Sequence, residues 1–320
     1  MAISAKDVQK FESNFKAVTD NVEQALLGKR RVIELVLAAM ISEGHVLLED
    51  YPGTGKTALA RALSQSVAGA NQRIQFTPDL LPGDVIGMNV LDKSKTNFEF
   101  RKGPIFANVV LADEINRASP KTQSAMLEAM EERQVTVDGT KYPIGLPFLV
   151  LATQNPVEQA GTYPLPEAQL DRFMLKTSVG YPDSSSTLRI LEGTATTAKA
   201  LSPVVDIKSI VELADIARGV SADPSVLDYI VRLVEATRGA RQVKIGSSVR
   251  GALALTRLSK TWAIAHGRSF VTPTDVKEVA VSVLSHRIIL QDEDKFDGVT
   301  AESVIEKILL DTVPPVGAEA

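Results

Sequence analysis

Residues 50–57 read Asp-Tyr-Pro-Gly-Thr-Gly-Lys-Thr and lie between a predicted strand at 45–49 and a helical pattern at 57–68. A strand, a glycine-rich loop and a helix in this order are the context in which protein loops wrap around phosphate groups. Gly53 and Gly55 let the backbone curl with its N–H groups pointing inward, and the helix N-terminus adds a partial positive charge. The segment therefore predicts an α/β fold with a phosphate-binding loop.

The end of this loop predicts a nucleotide and a metal. Lys56 is expected to reach the β- and γ-phosphates of ATP, and the Thr57 hydroxyl is expected to bind Mg²⁺. The predicted nucleotide contacts are Pro52, Gly53, Thr54, Gly55, Lys56, Thr57 and Ala58. Asp50 stands where the usual pattern has glycine, but aspartate tolerates unusual backbone angles, so the loop can still close. The alternative is a glycine-rich β–α turn without a ligand, which the Gly-Lys-Thr sequence disfavours.

Buried strands alternate with helices along the first part of the chain. Short apolar runs predict strands at 45–49, 73–76, 109–112, 148–153 and 174–177. Helical patterns separate them, for example at 57–68 and 121–133. This alternation indicates a parallel α/β sheet with helices on both faces.

Two helices and two hairpins are added to this alternation. Apolar residues that recur every three or four positions predict helices at 5–27 and 31–42. The segment 83–103 is typical of a β-hairpin insertion around a polar turn. The segment 134–142 predicts a second hairpin, because an Asp-Gly pair lies between β-branched residues.

The pattern becomes helical after residue 183. Predicted helices lie at about 187–194, 207–218, 224–238, 247–266 and 274–287. We therefore expect an α/β nucleotide-binding domain at 1–183, a small all-helical lid domain at 184–312 and a disordered tail at 313–320.

Composition narrows the functional classes. The net charge of −4 argues against a surface built mainly to hold nucleic acid. The chain has no cysteine, which excludes disulfides and thiolate sites, and its three histidines, His45, His266 and His286, are far apart and predicted to be structural. The N-terminus lacks a secretory pattern, and the longest apolar run, 36–41, is too short to span a bilayer. We expect a cytoplasmic protein without membrane insertion.

Two acids follow the apolar run at 109–112. Asp113 is placed to hold the Mg²⁺ shell, through water, and Glu114 to orient and deprotonate the attacking water. An Asp-Glu pair after a strand is often a solvated turn. The phosphate loop upstream favours the catalytic interpretation.

Three further polar residues are candidates for the reaction. Asn155 follows another buried strand, where its amide could bind the γ-phosphate and the attacking water, although Asn before Pro156 also initiates turns. Arg172 precedes the last strand of the sheet, and Arg250 lies near the start of a lid helix. A positive charge near the γ-phosphate stabilises the transition state, although most helix arginines are solvated or paired at the surface.

The chain resembles the MoxR family of AAA+ ATPases over nearly its whole length. The segments that carry the resemblance are EDYPGTGKT at 49–57, GPIFAN at 103–108, LADEINRA at 111–118, QSAMLEAMEE at 123–132 and GTYPLPEAQLDRF at 161–173. The last two are long and unusual, so the similarity is specific to this family.

The resemblance implies particular roles. The sheet would have the strand order 5-1-4-3-2, which makes Asn155 the first sensor. Arg172 would be the arginine finger that acts across a subunit boundary, and Arg250 the second sensor, which links lid position to nucleotide state. Leu27 and Gly28 would begin the adenine pocket. The hairpins would be the helix-two insert and the insert before the first sensor.

The resemblance also implies an assembly and partners. It implies a homo-oligomeric ring, usually a hexamer, and chaperone-like maturation or metal-cofactor insertion of client proteins. Partners in this family commonly carry a von Willebrand factor A domain. Two other functions remain open: a nucleic-acid-dependent motor, which the acidic balance disfavours, and a nucleotide-gated scaffold with little turnover, which Lys56, Asp113 and Glu114 disfavour.

Overall fold

The structure is a computed structural model of the chain, and it describes residues 3–91, 98–155, 162–193 and 200–315. Its strands, in chain order, are β1 Val46–Glu49, β2 Asn71–Gln75, β3 Gly87–Leu91, β4 Phe98–Lys102, β5 Val109–Asp113, β6 Gln134–Val137, β7 Thr140–Pro143, β8 Leu149–Gln154, β9 Leu175–Thr177, β10 Val243–Ile245 and β11 Ile289–Leu290. Its α-helices are α1 Ala5–Glu23, α2 Arg30–Ile41, α3 Lys56–Ser66, α4 Pro82–Ile86, α5 Pro120–Glu132, α6 Glu167–Leu170, α7 Ser184–Leu191, α8 Ile207–Gly219, α9 Pro224–Gly239, α10 Val249–Ala265, α11 Pro273–Leu284, α12 Asp292–Phe296 and α13 Ala301–Asp311.

Five parallel strands form the central sheet, in the order β2-β5-β8-β1-β9. Counted along the chain, these five strands have the order 5-1-4-3-2, which confirms the expected topology. Strands β5 and β8 lie inside the sheet, and their side chains are buried on both faces. This burial explains why their sequences are almost continuous apolar runs.

The sheet separates two apolar layers. Successive side chains of a strand point to opposite faces. Val109 and Leu111 of β5 face the layer formed by α1, α2 and the helices after residue 200, whereas Val110 and Ala112 face the layer that contains α5. The helices at the two ends of the chain therefore share one face of the sheet.

Helix α1 begins with a capping box between Ser4 and Asp7. It ends at Glu23 rather than at residue 27, because the following residues turn and Gly28 adopts a φ of +69°. A left-handed backbone angle of this kind cannot continue an α-helix. Because α1 ends at Glu23, Leu26 lies outside the helix, and its side chain lies next to Gly55 of the phosphate loop.

The structure confirms both predicted hairpins. Strand β3 pairs antiparallel with β4, and β6 pairs antiparallel with β7. The turn predicted at 92–96 lies outside the described residues. Asp138 and Gly139 both have positive φ, as a type I′ turn requires. The hairpins also touch each other, because Asn89 donates a hydrogen bond to Asp138 (2.6 Å) and the ring of Phe100 stacks on Tyr142.

The chain after residue 183 is mainly helical, as the sequence pattern predicts. Helix α7 starts at Ser184, three residues before its predicted start, because Asp183 accepts a hydrogen bond from the Ser186 N–H and caps the helix. The lid also contains a short antiparallel pair, β10 and β11, which the sequence pattern did not predict. Within the described ranges, no helix is both long and apolar enough to cross a membrane. Residues 316–320 of the predicted tail lie outside the described part of the chain.

His45, directly before β1, joins the sheet to α5. Its Nδ1 accepts a hydrogen bond from the Val150 backbone N–H (3.1 Å), and its Nε2 donates to the Met130 carbonyl (3.0 Å). Only the neutral ring can do both. Burial lowers the pKa of His45 to about 4, because desolvation disfavours the charged form. A structural role for this histidine therefore agrees with its contacts.

We expect acid to destabilise the protein through His45. The unfolded chain takes up a proton near the ordinary pKa of 6.5, whereas the folded ring does so only near pH 4, so stability falls as the pH drops through this window. Between about pH 7 and about pH 5 the loss should be about 2 kcal/mol. His45→Gln keeps a donor and an acceptor but no charge, so it should remove this part of the pH dependence in urea unfolding.

The control is His266→Gln, since His266 lies on the surface. This variant should lose stability with falling pH as the wild type does. An H45Q variant with the full wild-type pH dependence would contradict the assignment.

Candidate functional site

The phosphate loop connects β1 to α3 at the edge where the parallel strands end. Gly53 and Gly55 have φ angles of +82° and +95°, which glycine adopts without strain. Gly55 is the N-cap of α3, so the first N–H groups of the helix point toward the loop. A Cβ at Gly55 would lie 2.9 Å from Leu26 Cδ1, the end of a flexible side chain that can shift, so the backbone angle is what requires glycine here.

A cavity of about 410 Å³ opens in front of this loop. The predicted site residues that line it are Pro52, Gly53, Thr54, Gly55, Lys56, Thr57, Asp113, Glu114 and Asn155. Arg73 and Thr153 line it as well, and the sequence analysis did not single them out. Leu27, Gly28 and Ala58 lie outside its lining, so their nucleotide contacts stay predictions.

Lys56 and Asp50 stabilise the loop from opposite ends. The Lys56 ammonium donates to the backbone carbonyls of Asp50 and Tyr51, at 3.2 Å each. The Asp50 carboxylate is buried and accepts hydrogen bonds from the N–H groups of Val179 (2.5 Å) and Gly180 (2.9 Å). The residue that replaces the usual glycine therefore ties the loop to the segment that leads into the lid.

Asp113 and Glu114 are held by hydrogen bonds from residues of two neighbouring strands, β2 and β8. Asp113 Oδ1 accepts from the Thr153 hydroxyl (2.7 Å), and Oδ2 accepts from Arg73 Nε (3.1 Å) and Nη2 (2.6 Å). The Glu114 N–H donates to the same Thr153 hydroxyl (2.8 Å). Glu114 Oε2 accepts from Gln75 Nε2 (2.8 Å). The predicted metal ligand Asp113 and the predicted catalytic acid Glu114 are therefore both held in place at the cavity wall.

Glu114 has a left-handed backbone, with φ of +57° and ψ of +49°. Residues other than glycine adopt this conformation rarely, and it is often found at functional sites. Arg117, one turn further, binds the same carboxylate (2.9 Å). In this conformation the Glu114 side chain lines the phosphate-loop cavity.

Arg73, Gln75 and Thr153 are the contributors that the sequence analysis missed. Arg73 and Gln75 are two apart on β2, so they lie on the same face of that strand. Neither residue type is specific for a site, and their importance follows from the pairing of β2 with β5, which aligns Gln75 with Asp113. The one sequence signal for them was that Arg73 and Gln75 are two polar residues, two positions apart, at the end of a predicted strand.

The residues at the cavity fit a magnesium ion. Mg²⁺ prefers oxygen ligands and needs only one or two from the protein when phosphates supply the others. Thr57 and Asp113 provide a hydroxyl and a carboxylate on the same cavity. In the described part of the chain, no group of three or more His, Cys, Asp or Glu side chains that could hold a metal ion occurs.

Arg172 and Arg250 lie elsewhere. They line a second cavity, of about 160 Å³, and both bind the Glu131 carboxylate: Arg172 Nε lies 3.2 Å from Oε2, and Arg250 Nη2 lies 2.5 Å from Oε1. All the described residues that line the phosphate-loop cavity come from the first 183 residues.

The two cavities lie at opposite edges of the sheet. His45 and Met174, which precede β1 and β9, line the cavity with the arginines, whereas the phosphate loop follows β1. β1 has four residues, so these edges are separated by about 13 Å. Within one chain, Arg172 is too far away to contact a γ-phosphate at Lys56.

We expect Asp50→Asn to destabilise the protein. An asparagine NH₂ cannot accept a hydrogen bond, so one buried backbone N–H, from Val179 or Gly180, would lose its partner. The cost should be about 1–3 kcal/mol in urea unfolding. The control is Asp206→Asn, at the exposed N-cap of α8, where Asn serves as well as Asp. Equal stabilities for D50N and the wild type would contradict this role.

Comparison with known proteins identifies the parts of the chain. Residues 45–175 match the model of the ATPase family associated with various cellular activities (AAA), and residues 235–308 match the AAA lid domain model. The crystal structure of a "putative ATPase" from Cytophaga hutchinsonii has a TM-score of 0.89 and 41% identity, with 96% of each chain covered.

Full-length relatives support the same family. The chain is 47% identical over 307 residues to the uncharacterized protein YeaC of Bacillus subtilis (95% of this chain, 96% of that protein). It is 40% identical over 297 residues to the Chaperone MoxR1 of Mycobacterium tuberculosis (90% and 79%). It is 31% identical over 297 residues to the protein MoxR of Methylorubrum extorquens (84% and 86%). These relatives, the AAA and lid matches and the site motifs together show that the chain is an ATPase of the MoxR family of AAA+ proteins.

Proposed function

We propose that this protein hydrolyses ATP with Mg²⁺ and uses the cycle for chaperone-like remodelling of client proteins. The observation that carries the proposal is that the phosphate loop, Asp113 and Glu114 meet at one cavity. A glycine-rich turn without a ligand would not need two acids from another strand at its mouth.

Each residue at the cavity has a role in this proposal. The N–H groups of the loop and the Lys56 ammonium bind the phosphates of ATP. Thr57 and Asp113 hold Mg²⁺, which neutralises charge on the phosphates and polarises the bond that breaks. Glu114 orients the attacking water and takes its proton. Asn155, beside Glu114 at the same cavity, donates its amide to the γ-phosphate.

The two arginines act on the nucleotide of a neighbouring subunit in this proposal. The separation of the two sheet edges, about 13 Å along β1, supports it, because Arg172 and Arg250 line the cavity at the edge opposite the phosphate loop. The family resemblance implies a ring, usually a hexamer. Such a ring would bring Arg172 and Arg250 of one copy to the phosphate loop of the next copy. The second-sensor role of Arg250 then also operates between subunits.

The kind of client and the cellular location are proposed from a named relative and from the family resemblance. The relative Chaperone MoxR1 supports a chaperone function. Family resemblance alone suggests maturation or metal-cofactor insertion, partners with a von Willebrand factor A domain, and the cytoplasm, where ATP is available. Mass spectrometry of proteins that stay bound to Glu114→Gln in ATP, but not in ADP, would identify the client.

The first hairpin gives little support to a nucleic-acid motor. Its four basic residues are Lys93, Lys95, Arg101 and Lys102, of which Lys93 and Lys95 lie outside the described residues and Arg101 and Lys102 belong to β4. The Lys102 ammonium lies over the Phe106 ring, 5.1 Å from its centre, and is therefore engaged within the chain. Phosphate binding by a surface needs a cluster of free cations. ATPase stimulation by DNA would favour this alternative.

Glu114→Gln should separate catalysis from binding. The amide keeps the size of the side chain but cannot take a proton, so ATP turnover should fall by about 10²–10⁴-fold. ATP affinity, measured by equilibrium titration, should stay close to the wild-type value. The control is Glu128→Gln, on the exposed face of α5, which should turn over normally. Unchanged turnover in E114Q would support the scaffold alternative.

Mixing two inactive variants should reveal whether Arg172 acts between subunits. Arg172→Ala keeps Glu114, and Glu114→Gln keeps Arg172, so a ring that contains both variants has some sites with an intact acid and an intact arginine. We expect each variant alone to hydrolyse ATP at least about 10²-fold more slowly, and the mixture to recover turnover. A mixture that stays inactive, although subunit exchange is shown by labelled protein, would contradict action across the boundary.

A further inference from the structure

Arg73 binds the carboxylate that is expected to serve the magnesium ion. Its Nε and Nη2 both donate to Asp113 Oδ2, at 3.1 and 2.6 Å. The other oxygen, Oδ1, accepts from the Thr153 hydroxyl. Both oxygens of Asp113 are therefore occupied by hydrogen-bond donors in this conformation.

The two sides of this ion pair differ in exposure. The Asp113 side chain is 12% exposed, whereas the Arg73 side chain is 52% exposed and lines the phosphate-loop cavity. An arginine at the rim can move into the cavity or toward solvent, whereas a carboxylate at the end of a buried strand cannot. When the pair separates, Arg73 is therefore the residue that moves.

A hydroxyl and a guanidinium affect a metal differently. The Thr153 hydroxyl is neutral and can stay on Oδ1 while Oδ2 serves a metal ion or its bound water. The guanidinium is a full positive charge within hydrogen-bond distance of Oδ2, so it repels a divalent cation that approaches the same oxygen. Competition is therefore confined to Arg73 and Oδ2.

We propose that Arg73 is a positioning residue that competes with Mg²⁺ for Asp113 and must leave Oδ2 before the metal site can form. The proposal rests on the assignment of Asp113 to the metal under the proposed function. It concerns the state before Mg²⁺ binds, and it adds a residue that none of the sequence motifs contains.

The departure of Arg73 has a consequence for Glu114. The same Arg73 Nη2 donates to Gln75 Oε1 (2.8 Å), and Gln75 Nε2 donates to Glu114 Oε2 (2.8 Å). Removing Arg73 from Oδ2 breaks its contact with Gln75 and frees that side chain to turn. The arrival of the metal at Asp113 would therefore free one of the two side chains that bind Glu114 Oε2, while Arg117 keeps its contact with that oxygen.

The test measures metal affinity rather than turnover. The probe is Mn²⁺, whose free concentration is read by electron paramagnetic resonance, added to the full-length protein saturated with the non-hydrolysable analogue AMP-PNP. Arg73→Gln removes the competing charge and keeps a polar side chain, so the Mn²⁺ dissociation constant should fall about three- to tenfold. Arg73→Lys keeps the charge and should stay near the wild-type value.

Two controls make the result specific. Arg241→Gln removes an exposed arginine that pairs with a mostly buried acid, Asp294, in the lid, and it should leave the Mn²⁺ affinity unchanged. In an Asp113→Asn background, Arg73→Gln should no longer tighten Mn²⁺ binding, because the carboxylate for which both cations compete is gone.

The outcomes separate this inference from the proposed function. Unchanged or weaker Mn²⁺ binding in R73Q, with AMP-PNP binding intact, would overturn the competition and leave the ATPase assignment in place. Tighter binding in both R73Q and R73K would also overturn it, since removal of charge would not be the cause. A wild-type protein that binds no AMP-PNP would instead contradict the proposed function.

Discussion

The common direction of the five central strands determines where everything else lies. Parallel strands place all their carboxyl ends at one edge of the sheet, and residues that end different strands meet there. The phosphate loop, Asp113 and Asn155 come from three such ends, separated by long stretches of sequence but joined at one cavity. The same polarity places the residues before β1 and β9 at the opposite edge, which is why Arg172 and Arg250 occupy a different cavity.

The sequence predicted those parts of the fold and site that depend on local patterns. The strands of the sheet, the two hairpins and the lid helices α7 to α11 follow from periodicity and turn residues, whereas α12 and α13 were not predicted. Lys56, Asp113 and Glu114 follow from short motifs. Arg73, Gln75 and Thr153 could not be found this way, because their importance depends on the register of β2 with β5 and of β8 with its neighbours. The pair β10 and β11 was missed since two- or three-residue strands have no period to detect.

Hydrogen bonds of Asp50 and ion pairs of Lys176 connect the region of the phosphate loop to the lid and to the segment before it. Asp50, the first residue of the loop, holds the backbone of Val179 and Gly180 just before the lid begins. Lys176 of β9 lies 3.1 Å from Glu49, which precedes the loop, and 3.1 Å from Glu302 of α13. Burial alone would lower the pKa of Lys176, but its two carboxylate partners raise it above the usual value, so the lysine stays charged. The loop and the lid are therefore connected through charged side chains.

In an isolated subunit, Glu131 neutralises the two arginines that lie away from the phosphate loop. Two guanidinium groups at one edge repel each other, and Glu131 neutralises this repulsion by binding Arg172 and Arg250 with one oxygen each. Both arginines and Glu131 are partly exposed, so these ion pairs are weak and exchange readily with another anion. The triphosphate of a neighbouring copy carries more charge than one carboxylate and would draw the arginines away. In the proposed ring, Glu131 would hold the two arginines at this edge until the nucleotide of a neighbour replaces it.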